Sequence, residues 1–415
     1  MSTFAYRSNE LHAEDVPVRR LAERYGTPLY VYSRGHFRAQ YRKLTEAMKE
    51  VRPLICYSVK ANSNRAVVET FLGEGAGLDI VSGGELFRAL RAGADPSRIV
   101  FAGVGKTVAE VEYAVREGIL LFTVESEAEA RRISDCAHRV GLRARISFRV
   151  NPDVDPQTHT YISTGKKENK FGLDIARTRS AYEMAAALPN VEIAGLHMHI
   201  GSQILKTEPF ADALSRVTEL CRELKARYPT FQYIDIGGGI GIQYKPEQAA
   251  LDPAQFAAVV VPPLQALGLS VVMEPGRFLV GNGGILVCRV QYLKASHQKN
   301  FIVIDAAMND LIRPALYQAH HEILAVAPRA GQVFGDLVGP VCESGDFLAQ
   351  DRELPAVDEG DLLAVMSAGA YGFAMSSSYN SRPRAAEVMV DGSRAVVVRD
   401  RETWEDLVRG EHSFE

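Results

Sequence analysis

The chain has 415 residues, of which 47% are hydrophobic and 24% are charged, and its formal net charge is −4. This balance is ordinary for a folded protein and lacks the basic excess expected of a nucleic-acid-binding protein. Residues 1–20 contain no apolar core of a signal peptide, and prolines and a glycine interrupt the apolar stretch 257–273. We therefore expect no membrane span and no secretion signal.

The five cysteines are scattered along the chain and form no CxxC pair. An odd number without metal-ligand spacing favours reduced thiols over a disulfide framework or a zinc site. This usage predicts a cytoplasmic location.

The length predicts two domains, and the pattern changes near residue 284. We expect a first domain at 33–283, a β-rich domain at 284–415 that forms a barrel or sandwich, and an N-terminal segment, 1–32, that packs with the β-rich domain. In the first domain, short apolar runs alternate with helical periods. The predicted strands are 54–60, 78–82, 99–103, 120–124, 144–150, 193–200, 233–237 and 270–275.

Amphipathic segments lie between these strands. After Glu125, for example, Ser126 and Glu129 predict a capping box, and Gly141 is expected to end the helix. Eight such units over roughly 250 residues predict a TIM-like (β/α)8 barrel, with an open doubly wound sheet as the alternative.

In a barrel of this kind, the carboxyl ends of the strands form the active face. Polar or glycine-rich residues lie at five of the predicted strand ends. They are Lys60 after strand one, Asp79 on strand two, His197 and His199 on strand six, Gly237–Gly239 after strand seven, and Glu274, Pro275, Gly276 and Arg277 after strand eight.

The run GGGIG at 237–241 does not continue as a dinucleotide-binding fingerprint, because residue 242 is isoleucine. Three glycines after strand seven instead favour a phosphate site, in which backbone N–H groups close on an anion. Arg277 can add a charge-assisted contact. The alternative interpretation is a tight turn.

Two histidines, His197 and His199, lie two residues apart and would share one face of a strand. No Asp, Glu or His with ligand spacing surrounds them in the sequence, so we predict no metal site. One packed and one solvated histidine is an equally good interpretation, and an imidazole at the barrel mouth could also stack on a flat cofactor ring.

Closure of a barrel would place strand one beside strand eight, and Lys60 near Glu274. A structural ion pair of Lys60 with Glu274 or Asp79 is one interpretation. The other is an amine that forms a Schiff base with a cofactor aldehyde. A phosphate site, a stacking ring and a carboxylate for a pyridine nitrogen together fit pyridoxal 5′-phosphate.

From the N-terminus to about residue 395, the sequence resembles the barrel-fold (type III) pyridoxal-phosphate decarboxylases, and within them the diaminopimelate decarboxylases. The motifs that carry the resemblance are YSVKANSN, GLDIVSGGE, VNPDVDPQTHTYISTGKKENKFG, HMHIGSQ, IDIGGGIGI, EPGRFLVGNGG, DAAMNDLIRPALY, GPVCESGDFLAQDREL and GAYGFAMSSSYNSRPRAAEV. It implies decarboxylation of meso-2,6-diaminopimelate to L-lysine and CO2, the last step of lysine biosynthesis.

The resemblance also implies roles for single residues. Lys60 would be the Schiff-base lysine, His199 would stack on the cofactor ring, and Glu274 would contact the ring nitrogen. Ser202 and Gly237–Gly239 would bind the phosphate. The implied cofactor-binding set is completed by Asp79, Pro275, Gly276, Arg277 and Tyr371.

The family further implies a homodimer with shared active sites, in which Cys342, Glu343 and Tyr371 reach a site built mainly by the other subunit. Cys342 is the candidate proton donor. The far end of the substrate would be bound by Arg277, Arg313, Tyr317, Glu343 and Tyr371. An arginine pair suits a substrate with a second carboxylate, whereas Glu343 alone would also suit lysine or ornithine.

Alternatives are a decarboxylase for ornithine, lysine or carboxynorspermidine, and a non-catalytic relative that binds the cofactor. A racemase is disfavoured, because its ring nitrogen would typically face an arginine where this chain has Glu274. The charged run GKKENKFG, within residues 151–172, is a candidate for part of a lid.

Overall fold

The computed structural model describes residues 3–155, 171–296 and 299–415. Most of the candidate lid run lies in 156–170, outside the described residues. The chain divides into two compact units. The β unit comprises Met1–Ala39, Gln243–Gln248 and Val280–Glu415, and the barrel unit comprises Gln40–Ile242 and Ala249–Leu279. The predicted domain limits at 33 and 284 stay predictions.

The N-terminal elements begin with a small antiparallel sheet, in which the second strand pairs with the first and the third. A central strand of the β unit follows. The elements are β1 (Phe4–Arg7), β2 (Glu10–Ala13), β3 (Val16–Pro17), α1 (Val18–Tyr25), β4 (Leu29–Ser33) and α2 (Arg34–Ala47).

Nine strands of the next part are all parallel to their neighbours. They are β5 (Leu54–Ser58), β6 (Gly77–Ile80), β7 (Ile99–Phe101), β8 (Leu121–Val124), β9 (Ala144–Asn151), β10 (Leu173–Asp174), β11 (Val191–His197), β12 (Tyr233–Asp235) and β13 (Ser270–Met273).

Pairing runs from β5 through β6, β7, β8, β9, β11, β12 and β13 and returns to β5, with the short β10 attached to β9. The eight-stranded (β/α)8 barrel is therefore confirmed, and the open sheet is excluded. Each barrel strand lies within a strand position predicted from the sequence or within two residues of one, because buried parallel strands read as continuous apolar runs.

A helix follows each barrel strand. These helices are α3 (Arg65–Leu72), α4 (Gly83–Arg91), α5 (Val108–Glu117), α6 (Glu127–Arg139), α7 (Ile175–Ala186), α8 (Glu208–Arg227), α9 (Pro253–Leu267) and α10 (Arg277–Val280). No helix among the described residues combines the length and the apolar character needed to cross a membrane.

The predicted cap of α6 is only half formed. The Ser126 hydroxyl accepts from the Glu129 N–H at 3.2 Å. The Glu129 carboxylate does not return to Ser126; it accepts from the Glu125 N–H and from Lys106, each at 2.7 Å. Gly141 follows the helix with a positive φ of 70°, as expected of a residue that ends a helix.

The remaining elements belong to the β unit. They are β14 (Gly284–Ala295), β15 (Asn300–Ile304), α11 (Arg313–Tyr317), β16 (Ile323–Ala325), β17 (Gln332–Val338), β18 (Phe347–Pro355), β19 (Leu362–Val365), β20 (Ala386–Asp391), β21 (Arg394–Arg399) and α12 (Trp404–Leu407). The β-rich prediction for the C-terminal part is confirmed.

The main sheet of this unit has the order β18-β17-β15-β14-β4-β20-β21, and β19 pairs with both β14 and β16. Strand β4 is fully buried and lies between β14, which is antiparallel to it, and β20, which is parallel. The N-terminal segment therefore supplies a central strand of the sheet.

Candidate active site

Lys60 lies on a single 3₁₀ turn directly after β5. Its amine donates to Asp79 Oδ2 at 2.6 Å, and the lysine side chain is 40% exposed, whereas Asp79 is fully buried. The Ser58 hydroxyl donates to the same oxygen. Burial and the nearby Glu274 charge raise the pKa of Asp79, and Lys60 acts in the opposite direction. The ion pair considered from the sequence is thus present, with Asp79.

Glu274 directly follows β13, the neighbour of β5 in the barrel. Its Oε2 lies 3.1 Å from Nε2 of His197. Its Oε1 is buried and has no hydrogen-bond partner among the described residues. Burial raises the pKa of Glu274, but the charge and hydrogen bond of His197 and the charge of Lys60 outweigh burial, so the net pKa is lowered. Glu274 is therefore an anion with one oxygen available.

The fold places Asp235 beside this pair, which the sequence did not predict. His197, Asp235 and Glu274 are buried, and each offers one ligand atom within 4.8 Å of the others. The linear spacing shows no such cluster, because its members lie on β11, at the end of β12 and after β13. The expectation of no metal site stays untested.

His199 lies two residues beyond the end of β11. Its Nδ1 accepts a hydrogen bond from the Gly238 N–H at 3.2 Å, so Nδ1 carries no proton in this arrangement. Burial and the positive charge of Arg149 lower the pKa of His199. Arg149 also donates to the His199 carbonyl at 3.3 Å. The imidazole is therefore neutral and fixed in its tautomer.

The glycines after β12 form a turn that side chains would block. Gly237 and Gly239 have φ of +67° and +100°, where glycine is favoured. A Cβ on Gly238 would lie 2.3 Å from the Glu274 carbonyl oxygen, and one on Gly239 would lie 2.5 Å from the Gly201 carbonyl oxygen. These glycines therefore allow neighbouring backbone segments to approach closely, and the phosphate site stays a prediction.

Arg277 begins α10, is buried, and donates to the Ser202 hydroxyl at 3.0 Å through Nη2. The Pro275 carbonyl accepts from the Ser58 N–H at 3.1 Å. A Cβ on Gly276 would lie 3.0 Å from the Cβ atoms of Ala61 and Ser58. The segment after β13 and the segment after β5 are therefore packed against each other, as closure of the barrel predicted.

The β unit holds the other predicted site residues. Arg313, at the start of α11, is buried and donates to Nε2 of His321 at 2.8 Å, and its guanidinium lies 4.7 Å from the centre of the Tyr244 ring. Because arginine is always the donor, His321 Nε2 must accept, and Nδ1–H donates to the Met366 carbonyl at 2.8 Å. Neither His321 nor Tyr244 was singled out from the sequence.

Tyr317 ends α11 and is half-buried, and Tyr371 is half-buried with φ of +56°. Cys342 and Glu343 are exposed. The Cys342 N–H donates to Asn380 Oδ1 at 2.9 Å. All four residues lie in the β unit, where the two tyrosines are half-buried and Cys342 and Glu343 are exposed.

Residues 34–281 match the protein family described as "Pyridoxal-dependent decarboxylase, pyridoxal binding domain". The chain belongs to this family. It is 52% identical over 412 residues to the diaminopimelate decarboxylase of Pseudomonas aeruginosa, with 99% of each chain covered.

Solved structures agree with this assignment. A crystal structure from Aquifex aeolicus superposes with a TM-score of 0.92 at 46% identity and covers 98% of this chain and 97% of its own. The diaminopimelate decarboxylase of Helicobacter pylori complexed with L-lysine superposes with a TM-score of 0.91 at 40% identity, and covers 94% of this chain and 98% of its own.

As a member of this family, the chain is a pyridoxal-phosphate-dependent carboxy-lyase that acts on a small molecule. The barrel unit fits that cofactor on its own features. It offers a partly exposed amine at Lys60, a buried carboxylate oxygen without a partner among the described residues at Glu274, and a turn at 237–239 whose glycines carry no side chains.

Proposed function

We propose that this chain decarboxylates meso-2,6-diaminopimelate to L-lysine and CO2, the last step of lysine biosynthesis. Relatives that match nearly its whole length carry the name diaminopimelate decarboxylase, and a structural neighbour at 40% identity was solved with L-lysine. The observation within the molecule that carries the proposal is that a strand-end amine, Lys60, and a buried carboxylate of lowered pKa, Glu274, follow adjacent barrel strands.

In this proposal, Lys60 would hold pyridoxal phosphate through the cofactor's aldehyde. Asp79 holds the Lys60 amine at 2.6 Å and is itself fixed by the Ser58 hydroxyl. Glu274 would hold the ring nitrogen and favour its protonated form, because its Oε1 is unpartnered within the described chain and its pKa is lowered. When bound, the cofactor supplies an electron sink for the electron pair left on the substrate as CO2 departs.

His199 would hold the cofactor ring through its neutral imidazole. Its Nδ1 is occupied by the Gly238 N–H, and this bond ties its orientation to the glycine turn. The Gly237–Gly239 turn and the Ser202 hydroxyl would bind the phosphate, with Arg277 supplying positive charge through its contact with Ser202. Gly239 is the glycine whose amide would donate, because the N–H groups of Gly237 and Gly238 already donate to Asp235 and His199. Pro275, Gly276 and Tyr371 complete the proposed cofactor site.

The far end of diaminopimelate carries a carboxylate and an ammonium. Arg277 and Arg313 provide cations for the carboxylate, Glu343 provides an anion for the ammonium, and Tyr317 and Tyr371 provide hydroxyls. Lysine and ornithine lack the distal carboxylate, so neither would make the charge-assisted contacts that a carboxylate makes with these arginines. That difference favours diaminopimelate.

Cys342 is the proposed proton donor to the substrate carbon that loses CO2. It is exposed in the single chain, as is Glu343. A group that protonates a carbanion needs a site shielded from water, so its exposure supports a homodimer in which both residues complete the partner subunit's site. We further propose a cytoplasmic location, which the free state of all five cysteines supports.

The experiment that tests the function is CO2 release by the purified holoenzyme. We expect kcat/KM for meso-diaminopimelate to exceed that for L-lysine or L-ornithine by at least about a hundredfold, since a site built for a charged group rejects analogues that lack it. Equal rates for the three substrates would contradict the proposal. Carboxynorspermidine is assayed in the same way, and faster CO2 release from it than from meso-diaminopimelate would favour the carboxynorspermidine alternative.

A further inference from the structure

The buried cluster of His197, Asp235 and Glu274 contains more polar groups than the proposed chemistry uses. The three residues come from neighbouring strands in register. His197 pairs with Asp235 across β11 and β12, and Asp235 pairs with Val272 of β13, two residues before Glu274. The exposed fractions of the three residues are 1%, 0% and 7%. The barrel itself therefore holds the cluster in place.

The hydrogen bonds of the cluster leave three buried atoms without protein partners. Oε2 of Glu274 contacts Nε2 of His197 at 3.1 Å, and Oδ1 of Asp235 accepts from the Gly237 N–H at 2.8 Å. Within the described ranges, His197 Nδ1, Asp235 Oδ2 and Glu274 Oε1 have no hydrogen-bond partner. Two carboxyl groups and one imidazole thus share a space closed to solvent.

Two carboxylates this close together and this deeply buried cannot both be ionised without a large energetic cost, so one of them retains a proton. His197 and the positive charge of Lys60 both lower the pKa of Glu274 and so favour its ionised form. Asp235 accepts a hydrogen bond from the Gly237 backbone N–H. Burial, and after it the charge of Glu274, raises the pKa of Asp235 well above the usual value. The proton therefore belongs to Asp235.

We propose that His197 and Asp235 are positioning residues for Glu274. His197 donates from Nε2 to Oε2. Asp235 Oδ2 has no donor to accept from among the described residues, and a proton on this oxygen makes Asp235 a donor to the same carboxylate. Together they hold Glu274 as an oriented anion with Oε1 left to accept. The inference rests on the proposed role of Glu274 at the cofactor's ring nitrogen, and it assigns functions to two residues that do not themselves touch the cofactor.

Infrared spectroscopy tests the protonation of Asp235 directly. The difference between wild-type protein and Asp235→Asn, each carrying ¹³C-labelled aspartate carboxyl groups, should contain the carbonyl band of a protonated carboxylic acid, with and without cofactor. The exposed Asp212 is the matched control, and Asp212→Asn should remove carboxylate bands only. Carboxylate bands in the Asp235 difference would overturn the proposal. Because cofactor-free protein is measured too, this result is independent of the substrate.

Conservative variants test the positioning. Asp235→Asn keeps an acceptor for Gly237 and a donor for Glu274, whereas Asp235→Ala keeps neither. We expect Asp235→Ala to lower kcat and weaken cofactor binding about 10- to 100-fold, as for loss of a hydrogen bond to a charged group. We expect Asp235→Asn to recover most of that loss. If asparagine is as harmful as alanine in a protein with an unchanged melting temperature, the neutral-donor role is wrong.

The same logic applies at His197. Gln at this position can place a donor where Nε2 lies, and Phe keeps the ring without a donor. We expect His197→Phe to lower kcat about 10- to 100-fold with little change in KM, and His197→Gln to be milder. The pH titration of the visible absorption of the bound cofactor should shift in His197→Phe and not in His138→Phe, which alters a histidine on the outer helix α6. Equal titrations in the two variants would contradict the role of His197.

Discussion

The candidate site residues of the two units differ in burial. In the barrel unit, Asp79, His197, Asp235 and Glu274 are buried. Asp79 accepts from Lys60, His197 contacts Glu274, and Asp235 accepts from the Gly237 N–H. In the β unit, Cys342 and Glu343 are exposed. Buried charges have fixed partners and perturbed pKa values, whereas exposed groups keep ordinary chemistry until something covers them. In the proposed function, the barrel unit thus carries the preorganised part of the site, and the exposed pair acts on another subunit.

The largest effect should come from Lys60, whose partly exposed amine is bonded to the buried Asp79. Lys60→Ala should lose the visible absorption band of lysine-bound cofactor and at least about a thousandfold of the activity, because no other group replaces the bond to the aldehyde. Absorption and CO2 release measure this. Lys49→Ala, which removes an exposed lysine paired with Glu46, should keep both. An unchanged spectrum for Lys60→Ala would refute the assignment.

Cys342 tests the exposed side of the comparison. Cys342→Ala should lower kcat about 10²- to 10⁴-fold, the usual worth of a general acid, with the absorption band retained. Mixing inactive Lys60→Ala and Cys342→Ala chains should restore up to about a quarter of wild-type activity, since half of the dimers are mixed and each mixed dimer has one intact site.

The control for this mixture pairs Lys60→Ala with Glu274→Ala. Both residues belong to one barrel unit, so every mixed dimer keeps two defective sites and no activity should return. Recovery in the control, or none in the Cys342 mixture despite subunit exchange shown by mass spectrometry, would contradict a shared site.

Arg313 is the buried exception within the β unit, held between His321 and the Tyr244 ring. Arg313→Met should raise KM for meso-diaminopimelate about 10- to 100-fold through loss of a charge-assisted bond, with a smaller effect on kcat. Steady-state kinetics measure KM and kcat separately. Arg394→Met, at an exposed arginine on β21, should leave KM unchanged. A fall in kcat with an unchanged KM would contradict a role for Arg313 in substrate binding.

Asp310 should give the smallest effect, on stability alone. Burial raises its pKa to about 7. The folded state therefore binds a proton more tightly than the unfolded state, so this group contributes stability at low pH that is lost as pH rises from about 4 to about 7. Relative to wild type, Asp310→Asn should gain melting temperature as pH rises through that window. Asp400→Asn, at an exposed position, should show no such trend.

Much of the fold was predictable because its signals are local. The eight barrel strands are apolar runs separated by helical periods, and closure of the barrel places Glu274 after a strand adjacent to that of Lys60. The predicted capping box at Ser126 was only half right, because Lys106 and the Glu125 N–H, distant or outside the motif, compete for the Glu129 carboxylate. A side chain with several possible donors follows tertiary contacts, which a short motif does not encode.

By itself, the sequence determined the barrel, the strand-end lysine, the glycine turn and the family, because each depends on residues close together or on motifs in order. The tertiary structure alone decided which acid pairs with which base. Lys60 forms its ion pair with Asp79, His197 contacts Glu274, and Asp235 lies beside Glu274. Those choices depend on strand register and on burial, which set the distances between charges and their local dielectric, and neither is written in the spacing of residues along the chain.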